Sequence, residues 1–201
     1  MTHLKIAPWQ VLSRRQRQML AEIDQPVTAK QLHVRMRQTR RDCSDMLKQL
    51  ENAGLTICLN PDARRSRLFG LTAKGQQWRQ QLWPDLPGYD QPADVDWIAY
   101  GYLCYSHRQT VVLNLNGAMQ AAAIKRQARY ADPTLCMSAN NVRDVMPRLL
   151  ELGIVEVAPT RRAHRHYQLT SLGHACQRLL QRTNDRHARL RAICAIPGLM
   201  G

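Results

Sequence analysis

Arg64, Arg65 and Arg67 crowd one short stretch between Pro61-Asp62 and Leu68-Phe69-Gly70-Leu71. Like charges this close repel, so folding alone accounts for them poorly. A polyanion accounts for them well, because the guanidinium fork matches phosphate oxygens or reaches into a minor groove. Ahead of them stands a second polar set, Thr39, Arg40, Arg41, Ser44 and Lys48, in the first turn and on the outer face of a helix. A basic helix followed by a basic hairpin suits entry into a DNA groove beside the phosphate backbone. For the helix taken alone, a solvated face explains the pattern equally well; the hairpin tips the balance.

Other chemistries find less support. There are no paired carboxylates, no nucleophile motif, no phosphate-binding glycine loop and no complete metal-ligand set, so neither an enzyme nor a cofactor or metal is expected. His164-x-His166 is half of a metal site with nothing to complete it, and reads as hairpin polarity. The 6 cysteines are scattered without a C-x-x-C pair, which argues against a zinc ribbon or a secreted disulfide scaffold. Cys58, placed on the outward face of the first hairpin strand near the arginines, is the candidate for a redox signal, against a plain structural thiol.

Formal net charge is +14, from 29 Lys+Arg against 15 Asp+Glu, a surplus that favours a polyanionic partner through counterion release. A GC-rich genome would also inflate arginine. A hydrophobic fraction of 44% is ordinary for a folded chain. Met1–Trp9 lacks the apolar core of a signal peptide, and no apolar run approaches membrane-spanning length, so a cytoplasmic, nucleoid-associated protein with no membrane partner is expected.

These side chains need elements to hold them. The apolar stripe Met19, Leu20, Ile23 predicts a helix over Ser13–Ile23, and Thr28 caps a short helix with Leu32 and Met36 inward. Thr39-Arg40-Arg41-Asp42 resembles a capping box and opens a helix over 39–52 whose Cys43, Leu47 and Leu50 face inward. Gly54 stops it. Leu55, Ile57 and Leu59 alternate as the buried face of a strand, with Phe69 and Leu71 inward on its partner. Thr72 caps a closing helix that ends at Pro84. Residues 84–95 are rich in proline and aspartate and read as a linker between a first domain, 1–83, and a second, 96–201. About ten extended residues span at most roughly 35 Å, close to the roughly 34 Å turn of B-DNA.

The second domain repeats the first. Ser106–Leu113 echoes Ser13–Leu20, and Met119–Ile124 echoes Val27–Leu32. Ser138 stands for Thr39; Val142, Met146 and Leu149 stand for Cys43, Leu47 and Leu50. Gly153-Ile154 matches Gly54-Leu55, and Arg162–Thr170 matches Arg64–Thr72, with a short insertion near Arg129–Met137. Ordered repetition of this kind is the most specific signal in the chain. The second helix, 138–150, offers Ser138, Asn140, Asn141 and Arg143; Asn pairs with adenine and Arg with guanine. Its hairpin carries Arg161, Arg162 and Arg165 with His164 and His166. Pro147 replaces Lys48 and predicts a kink or an early helix end. The aromatic run Trp97–Tyr105 reads as core or packing rather than as a stacking platform. A long last helix, 171–195, carries the stripe Leu172, Cys176, Leu179, Leu190 and Ile193, interrupted near Thr183, and is the expected surface for a homodimer.

The order helix, helix-turn-helix, Gly-Leu/Ile, basic hairpin, Leu-Thr-x-x-Gly resembles the winged-helix domain of MarR-type bacterial regulators. The endings Leu71-Thr72-Ala73-Lys74-Gly75 and Leu169-Thr170-Ser171-Leu172-Gly173 are particularly similar to that group. The resemblance implies a mainly α fold with small β-hairpin wings, two winged helix-turn-helix domains in tandem and a long C-terminal helix. It implies contacts to double-stranded DNA through the positions named above, and transcriptional repression as a dimer. Two units in one polypeptide depart from the usual pattern of that family. Tandem winged helices also occur in plasmid replication and chromosome-segregation proteins, and a scaffold acting through protein contacts is the alternative.

Overall fold

The computed structural model describes residues 11–134, 136–159 and 164–194, with side chains through residue 185. The chain is mainly helical with small antiparallel sheets, an α+β architecture. It divides into two compact units, Met1–Pro92 and Ala93–Gly201.

In the first unit, polar caps set the helix starts. Ser13 and Gln16 form a reciprocal capping box on α1 (Arg14–Glu22), and Thr28 with Gln31 forms another on α2 (Ala29–Met36). Thr39 Oγ1 accepts from Asp42 N at 3.1 Å at the start of α3 (Arg40–Asn52), without the reciprocal bond of a complete box. Gly54 takes φ +70°, a conformation that an L side chain strains to adopt, and turns the chain out of α3. A short strand β1 (Val27–Thr28) joins the hairpin β2 (Thr56–Cys58) and β3 (Leu68–Leu71) in an antiparallel sheet of order β1-β3-β2. The helix α4 (Ala73–Leu82) closes the unit. Met19, Leu20, Ile23, Leu32, Leu47 and Leu50 form the centre of its core with no exposed surface.

The sheet corrects the expected strand faces. Thr56 pairs with Leu71, Ile57 with Gly70 and Cys58 with Phe69. Paired residues share a face, so Phe69 and Leu71 bring Cys58 and Thr56 to the core side, and Ile57 is left 50% exposed. Thr56 tolerates burial because its hydroxyl donates to the carbonyl of Leu47. Cys58 therefore faces the core rather than outward; its thiol packs against apolar neighbours and donates to Asn60 Oδ1 at 3.8 Å. All four residues of β3 are buried, not Phe69 and Leu71 alone, because this is the central strand.

Residues 84–90 do not form a free tether. Asp90 N donates to the Asp24 carbonyl at 2.8 Å. The buried Arg79 guanidinium donates to the carbonyls of Ala21 and Pro87, at 3.2 and 2.6 Å. Tyr89 packs on the core cluster with its hydroxyl against the bare α-carbon of Gly70. The extended span imagined for a linker is thus laid down on the first unit.

Burial pushes the Tyr89 phenol up from 10.0 to about 12, opposed by a hydrogen bond with the Leu71 backbone and assisted by the charge of Asp90. Between those values the folded chain keeps a proton that the unfolded chain has lost, so this tyrosine makes stability fall as pH rises from 10.0 through about 12. Below that window it contributes no pH dependence. Tyr89→Phe is expected to flatten the alkaline loss, measured as the denaturation midpoint of wild type and variant across the same window.

The second unit opens with α5 (Trp97–Leu103), capped by Asp96, and α6 (Ser106–Leu113). Then come α7 (Ala121–Ala131), α8 (Ala139–Glu151), the hairpin β4 (Val155–Val157) and β5 (Tyr167–Leu169), and α9 (Ser171–Cys194). A single bridge between Met119 and Tyr167 stands where the first unit has β1. Tyr100 is fully buried, edge-on to Trp97 at 5.7 Å, and belongs to the core, whereas Tyr102 and Tyr105 are half-buried beneath the Arg108 guanidinium, 3.8 and 4.5 Å from their ring centres. Pro147 neither ends α8 nor shortens it: the helix runs on to Glu151 and matches α3 at 13 residues. Proline lacks the donor for one intrahelical bond, but its ring lies on the exposed side of the helix. Thr183 does not interrupt the stripe of α9. It is 1% exposed, its hydroxyl bonded to the Leu179 carbonyl, and Cys176, Leu179 and Leu180 are buried beside it within the same unit. That part of the stripe is therefore not open to a second copy; the side chains of Leu190 and Ile193 lie outside the described residues. No described helix is long and apolar enough to cross a membrane.

Candidate nucleic-acid interface

Each unit carries a concave groove in the same place of the repeat, between α2, α3 and the hairpin in the first and between α7, α8 and the hairpin in the second. In the first unit, the N-cap Thr28 contributes together with Ala29 and Lys30 from the N-terminal end of α2. From α3 come Arg40, Ser44 and Lys48, one side chain per turn along a single row. The hairpin closes the groove with residues 64–67 and Phe69. No carboxylate is among the lining residues.

The hairpin is held before any ligand arrives. Buried Asn60 accepts from Leu68 N at 2.7 Å and donates to the Ser66 carbonyl at 3.3 Å, and Ser66 sits at φ 54°. Arg67 donates from Nε to the Ala63 carbonyl and from a terminal nitrogen to that of Pro61, both at 3.3 Å. One of the crowded arginines thus has a folding role that the sequence concealed: it ties the turn to itself. Arg64 and Arg65 are exposed, and neither makes a hydrogen bond or ion pair among the described residues.

The structure sorts the expected residues. Arg40, Ser44, Lys48, Arg64, Arg65 and Arg67 are brought together. Arg41 is not; it lies on a neighbouring row of α3, with Nε 4.0 Å from Asp45. Thr39 is spent as a helix cap. Lys30 and Thr28 were missed. The signal for them was present, since Lys30 follows the Thr28 cap and lies off the apolar stripe, but only the fold carries the start of α2 to the hairpin.

The second groove is lined by Gln120, Ala121 and Ala122 from the start of α7, by Arg143 of α8, and by His164, Arg165 and Tyr167 of the hairpin. In the repeat register Arg143 stands where Ser44 stands and Arg165 where Arg67 stands. Arg143 donates to Asn140 Oδ1 at 3.0 Å, so the two side chains form one unit. Asn141 is spent in a capping box, its Oδ1 accepting from Ser138 N and Oγ at 2.8 Å. Arg161 and Arg162 lie outside the described residues. His166 is buried, one ring nitrogen paired with the His164 carbonyl at 2.8 Å and the other 3.4 Å from the Gln120 amide. Among the described residues no group of three His, Cys, Asp or Glu side chains is placed to hold a metal ion.

The buried thiols are held protonated. Burial, and then the charge of Asp42, raises Cys43; burial, followed by Asp96 and Asp94, pushes Cys176 up to about 12. Comparison of the chain with protein-family models, with curated proteins and with solved structures finds no match.

Proposed function

We propose that the protein is a sequence-specific double-stranded DNA-binding regulator, acting as a repressor, built from two winged helix-turn-helix units. The observation that carries this reading is the first groove: the row Arg40, Ser44, Lys48 faces a hairpin that offers Arg64 and Arg65, with no carboxylate between them. A helix of this kind fits the roughly 12 Å major groove, where Arg and Lys hydrogen-bond guanine and Ser bonds any base edge. The hairpin then meets the flanking backbone as a wing. Its arginines reach phosphates from a turn already ordered by Asn60 and Arg67, which lowers the entropic cost of binding. In the second unit Arg143 reads a base edge, oriented by Asn140, with fewer cations beside it.

Selection of binding sites from random duplex DNA tests this. A motif is expected with its stronger half under the first unit. In that motif Arg40→Ala should relax preference at one position at a cost of about 1–3 kcal/mol. If no sequence is enriched and no duplex is retained even at low salt, the proposal is wrong.

A further inference from the structure

The corresponding helices α2 and α7 differ at their C-terminal ends. α2 has 8 residues and stops at Met36; α7 has 11 and runs to Ala131. The added turn carries Arg129 and Tyr130, at the start of the insertion that the second repeat has near Arg129–Met137 and the first lacks. Ala122 lines the second groove. Arg126 lies one turn beyond it and Tyr130 one turn further, so the three share a face, with Arg129 alongside. At the helical rise, this row leads roughly 12 Å away from the groove.

Arg126, Arg129 and Tyr130 are exposed, and Tyr130 keeps 91% of its surface. None of the three makes a hydrogen bond or ion pair among the described residues. The nearest acid in sequence, Asp132, is engaged with the Thr134 amide and hydroxyl at 3.0 and 2.6 Å. A solvated face explains two arginines. It does not explain an aromatic ring left uncovered in line with them and with a basic groove.

We propose that Arg126, Arg129 and Tyr130 form a second duplex contact, which grips the phosphate backbone flanking the stretch held by Arg143 and Arg165. The proposal rests on the DNA reading above. The guanidinium groups pair with phosphate oxygens and the Tyr130 hydroxyl donates to the same backbone, so this row adds affinity without reading bases.

The test uses the full chain and two duplexes carrying the selected site, one trimmed at its edges and one with flanks of about ten base pairs, a helical turn. On the flanked duplex, R126A/R129A should lower the slope of log affinity against log salt by roughly 1.8. Tyr130→Phe should weaken binding to the same duplex several-fold. On the trimmed duplex all proteins should bind alike, and R126K/R129K should keep the wild-type slope. Thermal midpoints should match wild type, because the three side chains hold nothing in the fold. Equal losses on both duplexes, no loss on the flanked one, or a Tyr130 effect confined to single strands would each overturn the proposal. Failure of wild type to bind either duplex would instead remove the DNA reading beneath it.

Discussion

Replacing Arg64 and Arg65 together with alanine is expected to leave the fold intact and weaken duplex binding about 60-fold near 0.1 M salt, some 2.4 kcal/mol, whatever the sequence. Each guanidinium that neutralises a phosphate releases condensed counterion, worth roughly 0.9 in the salt slope, so the pair should lower that slope by about 1.8. The stability side follows from exposure: both are exposed, without partners among the described residues, and relieving like-charge repulsion removes no favourable contact. Arg67→Ala provides the contrast. Its guanidinium is bonded to the carbonyls of Ala63 and Pro61, so its loss should loosen the turn and cost thermal stability as well as affinity. Fluorescence anisotropy over a salt series, with thermal melts beside it, separates the cases. An unchanged slope in R64A/R65A would mean that the tip does not touch phosphate.

The largest stability effect is expected at two glycines. Gly75 and Gly173 lie in the first turns of α4 and α9, where alanine would ordinarily be favoured by about 1 kcal/mol. Here the sign should reverse. A β-carbon on Gly75 would overlap the Leu55 carbonyl oxygen, and one on Gly173 the carbonyl oxygen of Ile154. Neither carbonyl can move freely, since each accepts at 3.1 Å from the backbone N–H of the capping threonine, Thr72 or Thr170. The threonine hydroxyls accept from the glycine amides and donate to the carbonyls of Gly54, at 2.7 Å, and Gly153, at 2.5 Å. Each Leu-Thr-x-x-Gly ending is therefore a clamp between the hairpin and the helix that follows it. Breaking it should cost more than about 4 kcal/mol against a typical domain stability of about 5–15 kcal/mol. Circular dichroism of Gly75→Ala and Gly173→Ala, each made in the full chain, should show partial loss of helical signal with the other unit's melting transition retained. A midpoint raised in either variant would show that helix propensity outweighs the clamp.

The clamp also explains why the repeat could be read from sequence. Its parts are local and chemically demanding: a hydroxyl cap, a residue with no side chain, and a left-handed glycine at the end of α3 or α8. Few residue types satisfy each position, so the same letters recur in both units. Helix starts were legible for the same reason, with Ser13, Thr28, Thr39, Thr72 and Ser138 all acting as caps. The arginines of the turn and the basic row of α3 were also visible, because charge and helical period are properties of neighbouring residues.

What remained hidden depends on contacts between residues far apart in sequence. The phase of β2 could not be read from its own letters: alternation puts Leu55, Ile57 and Leu59 on the buried face, and Leu55 is indeed buried, but within the paired strand Thr56 and Cys58 lie opposite Leu71 and Phe69 and Ile57 is left exposed. With a side-chain period of two, that choice exchanges the faces of Thr56, Ile57 and Cys58, and it brings the half-buried Cys58 against the core. Residues 84–95 read as a linker because proline and aspartate disfavour regular structure, yet 84–90 are held on the first unit. Their attachment depends on Arg79, Asp24 and Gly70, which the sequence does not mark as partners. The sequence by itself determined most of the elements, many of their caps and their repetition, though not β1 or α5. The tertiary structure alone decided which side chains meet: Lys30 joined the groove, Arg41 was left beside Asp45, and Arg67 bonded the carbonyls of its own turn. Propensity and capping act within a few residues, whereas a groove is built from separate segments that packing brings together.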